Sequence, residues 1–207
     1  MKTESIIRTL EGLYGSSDIC ESEHYNLIDT LVISRLDFDG TVLEVDYNDL
    51  KNFPKLFNLT LDNCMIDNEV IQILSELPNM KRLSIIDCEI LEDIKESFNK
   101  LNILDLYVCN TNFDLSYLSK DYRTVRLEEV PFVPIPGSVK SLDVYNCTIP
   151  NVDELLNIKY DEIIISNELY LTNQLKFDDS NKKISVMEEN GQFIAKKVGY
   201  WWQDLIK

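Results

Sequence analysis

Apolar residues along this chain recur in a short fixed motif rather than in long runs. Leu56, Leu59 and Leu61 are followed by Cys64 and Ile66, and Met80, Leu83, Ile85, Cys88 and Ile90 repeat the spacing. Leu101, Leu104, Leu106 and Cys109 follow it again, and Val139, Leu142, Val144, Cys147 and Ile149 make a fourth clean copy. Looser copies begin at Ile28, Tyr122 and Tyr160, with Leu31 and Ile33, Val125 and Leu127, and Ile163 and Ile165 at their centres. The central apolar residues, at 31, 59, 83, 104, 125, 142 and 163, are separated by 28, 24, 21, 21, 17 and 21 positions. Apolar residues two apart point to one face of a strand, so each copy predicts a strand with one buried face. One repeat cannot bury that face alone; neighbours must stack as parallel strands, with the connecting segments covering the inward side.

The connections differ. Residues 67–78 place Val70, Ile71, Leu74 and Leu77 on one helical face, with Asp67 or Asn68 as the cap. Residues 91–100 do the same with Ile94 and Phe98, and 151–158 with Val152, Leu155 and Leu156. The run from Pro131 to Gly137 holds Pro131, Pro134 and Pro136, which lock φ and remove donors. It predicts an extended return and accounts for the shortest separation, 17.

With Cys in register at the ninth place of four copies, and every separation but one within 20–29 residues, the chain resembles the leucine-rich repeat superfamily over residues 28–168. The resemblance implies an α/β fold: a curved right-handed solenoid of about six or seven repeats with a parallel sheet on its concave face. It also implies that Cys64, Cys88, Cys109 and Cys147 form an interior ladder at the strand exits, meeting backbone groups otherwise left unsatisfied. The Pro-rich return running into residues 138–146 looks like the short repeats of secreted bacterial leucine-rich effectors.

Solenoid ends need caps. Ile6, Ile7, Leu10 and Leu13 share a helical face, so residues 1–27 are expected to form an N-terminal helical cap. Asp39-Gly40 is a hairpin-type turn, so 28–36 reads as a repeat or as a hairpin arm; we keep it as a repeat. Residues 169–207 are expected to form a β-rich C-terminal cap: 175–177, 183–187 and 192–195 read as strands of a small antiparallel meander, with Asn190-Gly191 as a turn.

Composition narrows function. Of 207 residues, 36 are Asp or Glu and 20 are Lys or Arg, for a net charge of −16. That argues against nucleic acid or an anionic membrane as partner, since phosphate binding needs clustered cations. Residues 1–50 carry 11 acids and 3 bases, whereas 169–207 carry 5 acids and 6 Lys, so the acidity belongs to the repeats and their N-terminal end. No apolar run reaches membrane-spanning length, and the first residues lack a signal-peptide h-region, so a cytoplasmic protein is expected, or one of the host cytosol if it is a secreted effector. Five Cys without a CxxC pair favour free thiols.

Chemistry is sparse. A single His, His24, leaves no room for a multi-His metal site, and the nearby Cys20 has no further partner to complete a catalytic set. Asp37, Asp39, Glu44, Asp46 and Asp49 form an acidic run that matches a calcium loop at only two places, and reads as a solvated edge. Trp201 and Trp202 read as cap packing, with an exposed aromatic patch as the alternative. No metal and no cofactor are expected, and the 39 residues after Glu168 are too few for a separate catalytic domain.

The outward strand positions are the better candidates. The fifth-place row contains Asp105, Arg126 and Asp143, which could pair across neighbouring strands. The seventh-place row contains Ile86, Tyr107, Glu128 and Tyr145, and Arg82 stands in the third. Tyr and Arg among charged residues are what a protein-binding face uses, and seven strands at ~4.8 Å spacing span roughly 29 Å. The expected function is therefore non-enzymatic protein binding by a monomer, to a partner with a neutral or basic surface. The alternative is a microbial effector, or an acidic immunity or inhibitor protein neutralising a basic partner; a Cys/His enzyme is a remote third.

Overall fold

The structure is a computed structural model that describes residues 6, 25–36, 39–180 and 182–187, together with the backbone of 193–197. The chain divides into two compact units, Met1–Phe113 and Asp114–Lys207. Each is α/β with mostly parallel strands. The expected N-terminal helix lies outside the described residues except for Ile6, which is helical and fully buried. Cys20, His24, Asp37, the 190–191 turn, Trp201 and Trp202 also lie outside them.

In the first unit, strands β1 (Thr30–Ser34), β2 (Asn58–Asp62), β4 (Arg82–Ile86) and β6 (Asp105–Cys109) pair in parallel in that order. The short β3 (Met65–Ile66) and β5 (Glu89–Ile90) pair beside them. Leu31, Leu59, Leu83 and Leu106 stand side by side, as do Ile33, Leu61, Ile85 and Val108, and all eight are buried. Each such side chain contributes roughly 1.5–3 kcal/mol by leaving water. Residues 28–36 satisfy both readings. β1 is in register with β2, while Leu36 bridges Val42 antiparallel and the Leu43 amide donates to Arg35 carbonyl at 2.7 Å, around Gly40 with φ of +82°.

The register corrects one repeat. Leu106, not Leu104, is the neighbour of Leu83; Leu104 is 40% exposed and Leu106 only 2%. The sequence Leu104-Asp-Leu106-Tyr-Val108 contains two overlapping alternations, and the motif fitted the earlier one. The backbone selects the later. The residue just past the strand is left-handed in Asn63, Asp87 and Asn110, with φ of 51°, 50° and 45°. Asn and Asp tolerate that region better than other non-glycine residues. The Asn63 and Asp87 amides then donate to the last carbonyls of the next strands, Ile86 and Cys109, at 3.0 and 3.1 Å.

Helix α1 (Asn68–Ser75) fills the connection after β3, capped by Asp67, whose carboxylate accepts from the Val70 amide at 2.9 Å. It buries Val70, Ile71, Ile73 and Leu74. The next return contains α2 (Lys95–Phe98), a single turn anchored by buried Ile94 and Phe98, the latter edge-on to Phe113 at 4.9 Å.

In the second unit, β7 (Tyr122–Glu128), β8 (Ser138–Tyr145), β9 (Lys159–Ser166) and β10 (Lys183–Met187) run parallel, and β11 (Phe193–Lys197) is antiparallel to β10. The Pro-rich return is extended, burying Phe132 and Ile135, with the Phe132 amide bound to Thr148 carbonyl at 3.0 Å. Helix α3 (Val152–Asn157) covers the next return, capped by Asn151 on the Asp153 amide.

The tail keeps part of the expected meander: β10 matches the expected 183–187 strand and pairs antiparallel with β11, but the expected first strand is helical. After β9 come α4 (Asn167–Thr172) and α5 (Gln174–Asp179), so 175–177 is helical. A strand there would send Leu175 and Phe177 to one face, yet Leu175 is 80% exposed and Phe177 fully buried against Tyr170, ring centroids 6.1 Å apart. The buried turn outweighs the alternation. β10 then pairs Ile184 with Ile163 and Val186 with Ile165, continuing the parallel register at a spacing of 21 where the motif series was read as ended. Among the described residues no helix is long and apolar enough to cross a membrane.

Candidate functional site

Strand alternation buries one face and leaves the other exposed or half-exposed, so the chemistry available to a partner is set by the outward residues. In the first unit, Arg82 and Asp105 are neighbours, with Nε donating to Oδ2 at 3.0 Å. The Arg82 guanidinium also lies over the Phe57 ring, 5.4 Å from its centroid. Asp105 was expected in the fifth-place row and Tyr107 in the seventh. The corrected register moves Asp105 to the third, and Tyr107 to the fifth, beside Ser84. Ile86 stays in the seventh row, between Asp62 and Cys109.

In the second unit, Arg126 is the register partner of Asp143, with Nε 3.9 Å from Oδ2, and its Nη2 donates to Glu128 Oε2 at 3.1 Å. Glu128 is in turn the neighbour of Tyr145. The expected pairing of Arg126 with Asp143 is present; the partner of Asp105 within its unit is Arg82. One guanidinium thus serves two carboxylates, and Asp143 Oδ1 is buried with no hydrogen-bond partner. Burial pushes the Asp143 carboxyl above its usual range, Arg126 pulls it back and Glu128 adds to the rise.

Glu162, on β9, accepts from Lys183 Nζ at 2.7 Å and from Ser185 Oγ at 2.9 Å, both on β10. The sequence reading missed Lys183 and Ser185 because it assigned them to the cap. The available signal was Ile184 and Val186, 21 positions beyond Ile163 and Ile165.

The cysteine ladder is partly present. The Cys64 thiol donates to Asp62 carbonyl at 3.3 Å and the Cys88 thiol to Ile86 carbonyl at 3.2 Å, while the Cys64 amide donates to Cys88 Sγ at 3.4 Å. Cys109 is not a member. In the corrected register it ends β6 on the outward face, half-buried, and Thr111, also half-buried, stands at the place that matches Cys88, its hydroxyl donating to Cys88 carbonyl at 2.7 Å. Cys147 is half-buried and donates to Tyr145 carbonyl at 3.3 Å. Its ionisation is pushed up by burial.

The guanidiniums of Arg82 and Arg126 are about half exposed, whereas the carboxylates of Asp105, Glu128 and Asp143 are largely covered. No group of three or more His, Cys, Asp or Glu that could hold a metal ion occurs among the described residues. Compared with known proteins, the sequence matches no family model and no curated protein.

Proposed function

We propose that this chain is a leucine-rich-repeat solenoid that binds another protein through its outward strand residues and catalyses no reaction. The observation that carries this reading is the composition of that face. Arg82 and Asp105 in one unit, and Arg126, Glu128, Asp143 and Tyr145 in the other, stand on strands whose opposite side is fully committed to the core. Such mixed aromatic and charged surfaces supply binding hot spots. The repeat reading is supported by the in-register Leu and Ile columns and by left-handed residues at recurrent strand exits. With a net charge of −16, the partner presents a neutral or basic surface.

Affinity capture with the intact protein, followed by mass spectrometry, tests this. One protein should be recovered reproducibly and bind in purified form. Its affinity should fall at least tenfold with Tyr107→Ala plus Tyr145→Ala in a variant whose circular dichroism is unchanged. Unaltered affinity would remove the strand face from consideration.

The acidic excess in residues 1–50 favours a second reading, an inhibitor or immunity protein that neutralises a basic partner. Affinity would then fall steeply between low and high salt, because association driven by net charge is screened. Loss of affinity in the double-Tyr variant without salt sensitivity favours the first reading.

A further inference from the structure

Two thiols in this protein are placed to join. Cys64 and Cys88 follow the register pair Asp62 and Ile86 by two residues each, and precede the register pair Met65 and Glu89 by one. They therefore occupy matched places in the turns between two parallel strand pairs, β2–β4 before them and β3–β5 after them, and with strands about 4.8 Å apart on both sides their Cα atoms lie at a similar separation. Disulfides need Cα separations of roughly 4.4–6.8 Å. Both side chains point into the same buried layer, and the Cys88 sulfur already accepts the Cys64 amide at 3.4 Å. The other described cysteines have no such match: Cys109 faces outward at the end of β6, and Cys147 belongs to the other unit.

The pair is also chemically unequal. A side-chain interaction between the two sulfurs draws the Cys64 thiol below its ordinary value; the same sulfur–sulfur interaction, and then burial, drive Cys88 far up against the opposing pull of the Cys64 amide. Tyr47 stands next to them. Its hydroxyl is buried with no partner at hydrogen-bond geometry, and burial first, then the nearby Cys64 sulfur, raise its pKa. Tyr47 lines a cleft of about 300 Å³ together with Arg35, Glu44 and Met65, the residue after Cys64.

We propose that Cys64 and Cys88 are a peroxide-oxidisable dithiol that closes to a disulfide between neighbouring repeats. The Cys64 thiolate attacks one oxygen of hydrogen peroxide; the O–O bond breaks, leaving a sulfenic acid and, after proton uptake, one water. The Cys88 sulfur then attacks the Cys64 sulfur; the S–O bond breaks, and the hydroxide leaves as a second water with the Cys88 proton. Two thiols lose two electrons, and peroxide is reduced to two waters. The bond ties positions 24 residues apart across the β2–β4 seam and restrains that part of the unfolded chain.

The test uses the full chain. Native protein is treated with hydrogen peroxide, alkylated and cut with trypsin at Lys55, Lys81, Arg82 and Lys95, which puts Cys64 and Cys88 on separate peptides. The expected product is those two peptides linked, lighter by two hydrogens, and released by reductant. Cys64→Ser and Cys88→Ser should each abolish it, and Cys109→Ser should leave it intact. Refolding the native sequence in a glutathione redox buffer removes any barrier from burial and should yield the same link. If both thiols alkylate fully after both treatments, or the recovered link pairs either with another cysteine or with a second chain, the proposal is overturned.

Discussion

A β-carbon on Gly137 would stand 2.1 Å from the Lys120 carbonyl oxygen and 2.7 Å from that of Leu118. The Gly137 amide donates to Leu118 carbonyl at 2.8 Å, so the end of the Pro-rich return is pressed onto the segment before β7. Both obstructing atoms belong to the backbone, which cannot rotate aside as a side chain can. Gly137→Ala should therefore cost about 1–3 kcal/mol or more. Urea unfolding is expected to show a lower midpoint with an unchanged slope; a midpoint within error of the native one would mean that the return yields freely.

The overlapping alternations in β6 make a separate prediction. Leu106→Ala removes a fully inward side chain between Leu83 and the core and should cost roughly 2–5 kcal/mol. Leu104→Ala, at a site 40% exposed, should cost under about 1 kcal/mol. Equal losses in chemical denaturation would contradict the register.

Asp143 predicts a pH dependence. Its carboxyl titrates above the ordinary carboxylate value in the folded state, because burial outweighs the pull of Arg126. The folded protein thus binds this proton more tightly than the unfolded chain. The contribution is fully present below the unfolded carboxyl value and is lost as pH rises through the folded one. Asp143→Asn should remove that falling segment from a plot of unfolding free energy against pH. An identical slope in native protein and variant, measured by urea unfolding across the mildly acidic range, would refute the assignment.

The sequence motif identified the strand centres of β1, β2, β4, β7, β8 and β9, because inward pairs two residues apart leave a visible alternation. It also identified Asp67 as one of two possible caps, and the Pro-rich return as non-helical. Two of its failures share one cause. At Leu104-Asp-Leu106-Tyr-Val108 and at Leu175-Lys-Phe177, the same local alternation admits two burial patterns. What separates them is a remote group: the row of left-handed exits ending at Asn110 in one case, and the Tyr170 ring against Phe177 in the other. The outward residues were nameable in advance, but assigning Asp105 to Arg82 required the register.

By itself, then, the sequence determined an α/β chain of short strands with a buried apolar column, an acidic surface and no clustered cations. Those properties follow from local side-chain direction and from charge, which need no knowledge of neighbours. Tertiary structure decided which repeat frame is used, that Cys64 faces Cys88 while Cys109 turns outward, and that β10 extends the parallel strands beyond β9. Those outcomes depend on hydrogen bonds and packing between residues 20 or more positions apart, where a single chain segment carries no record of its partner.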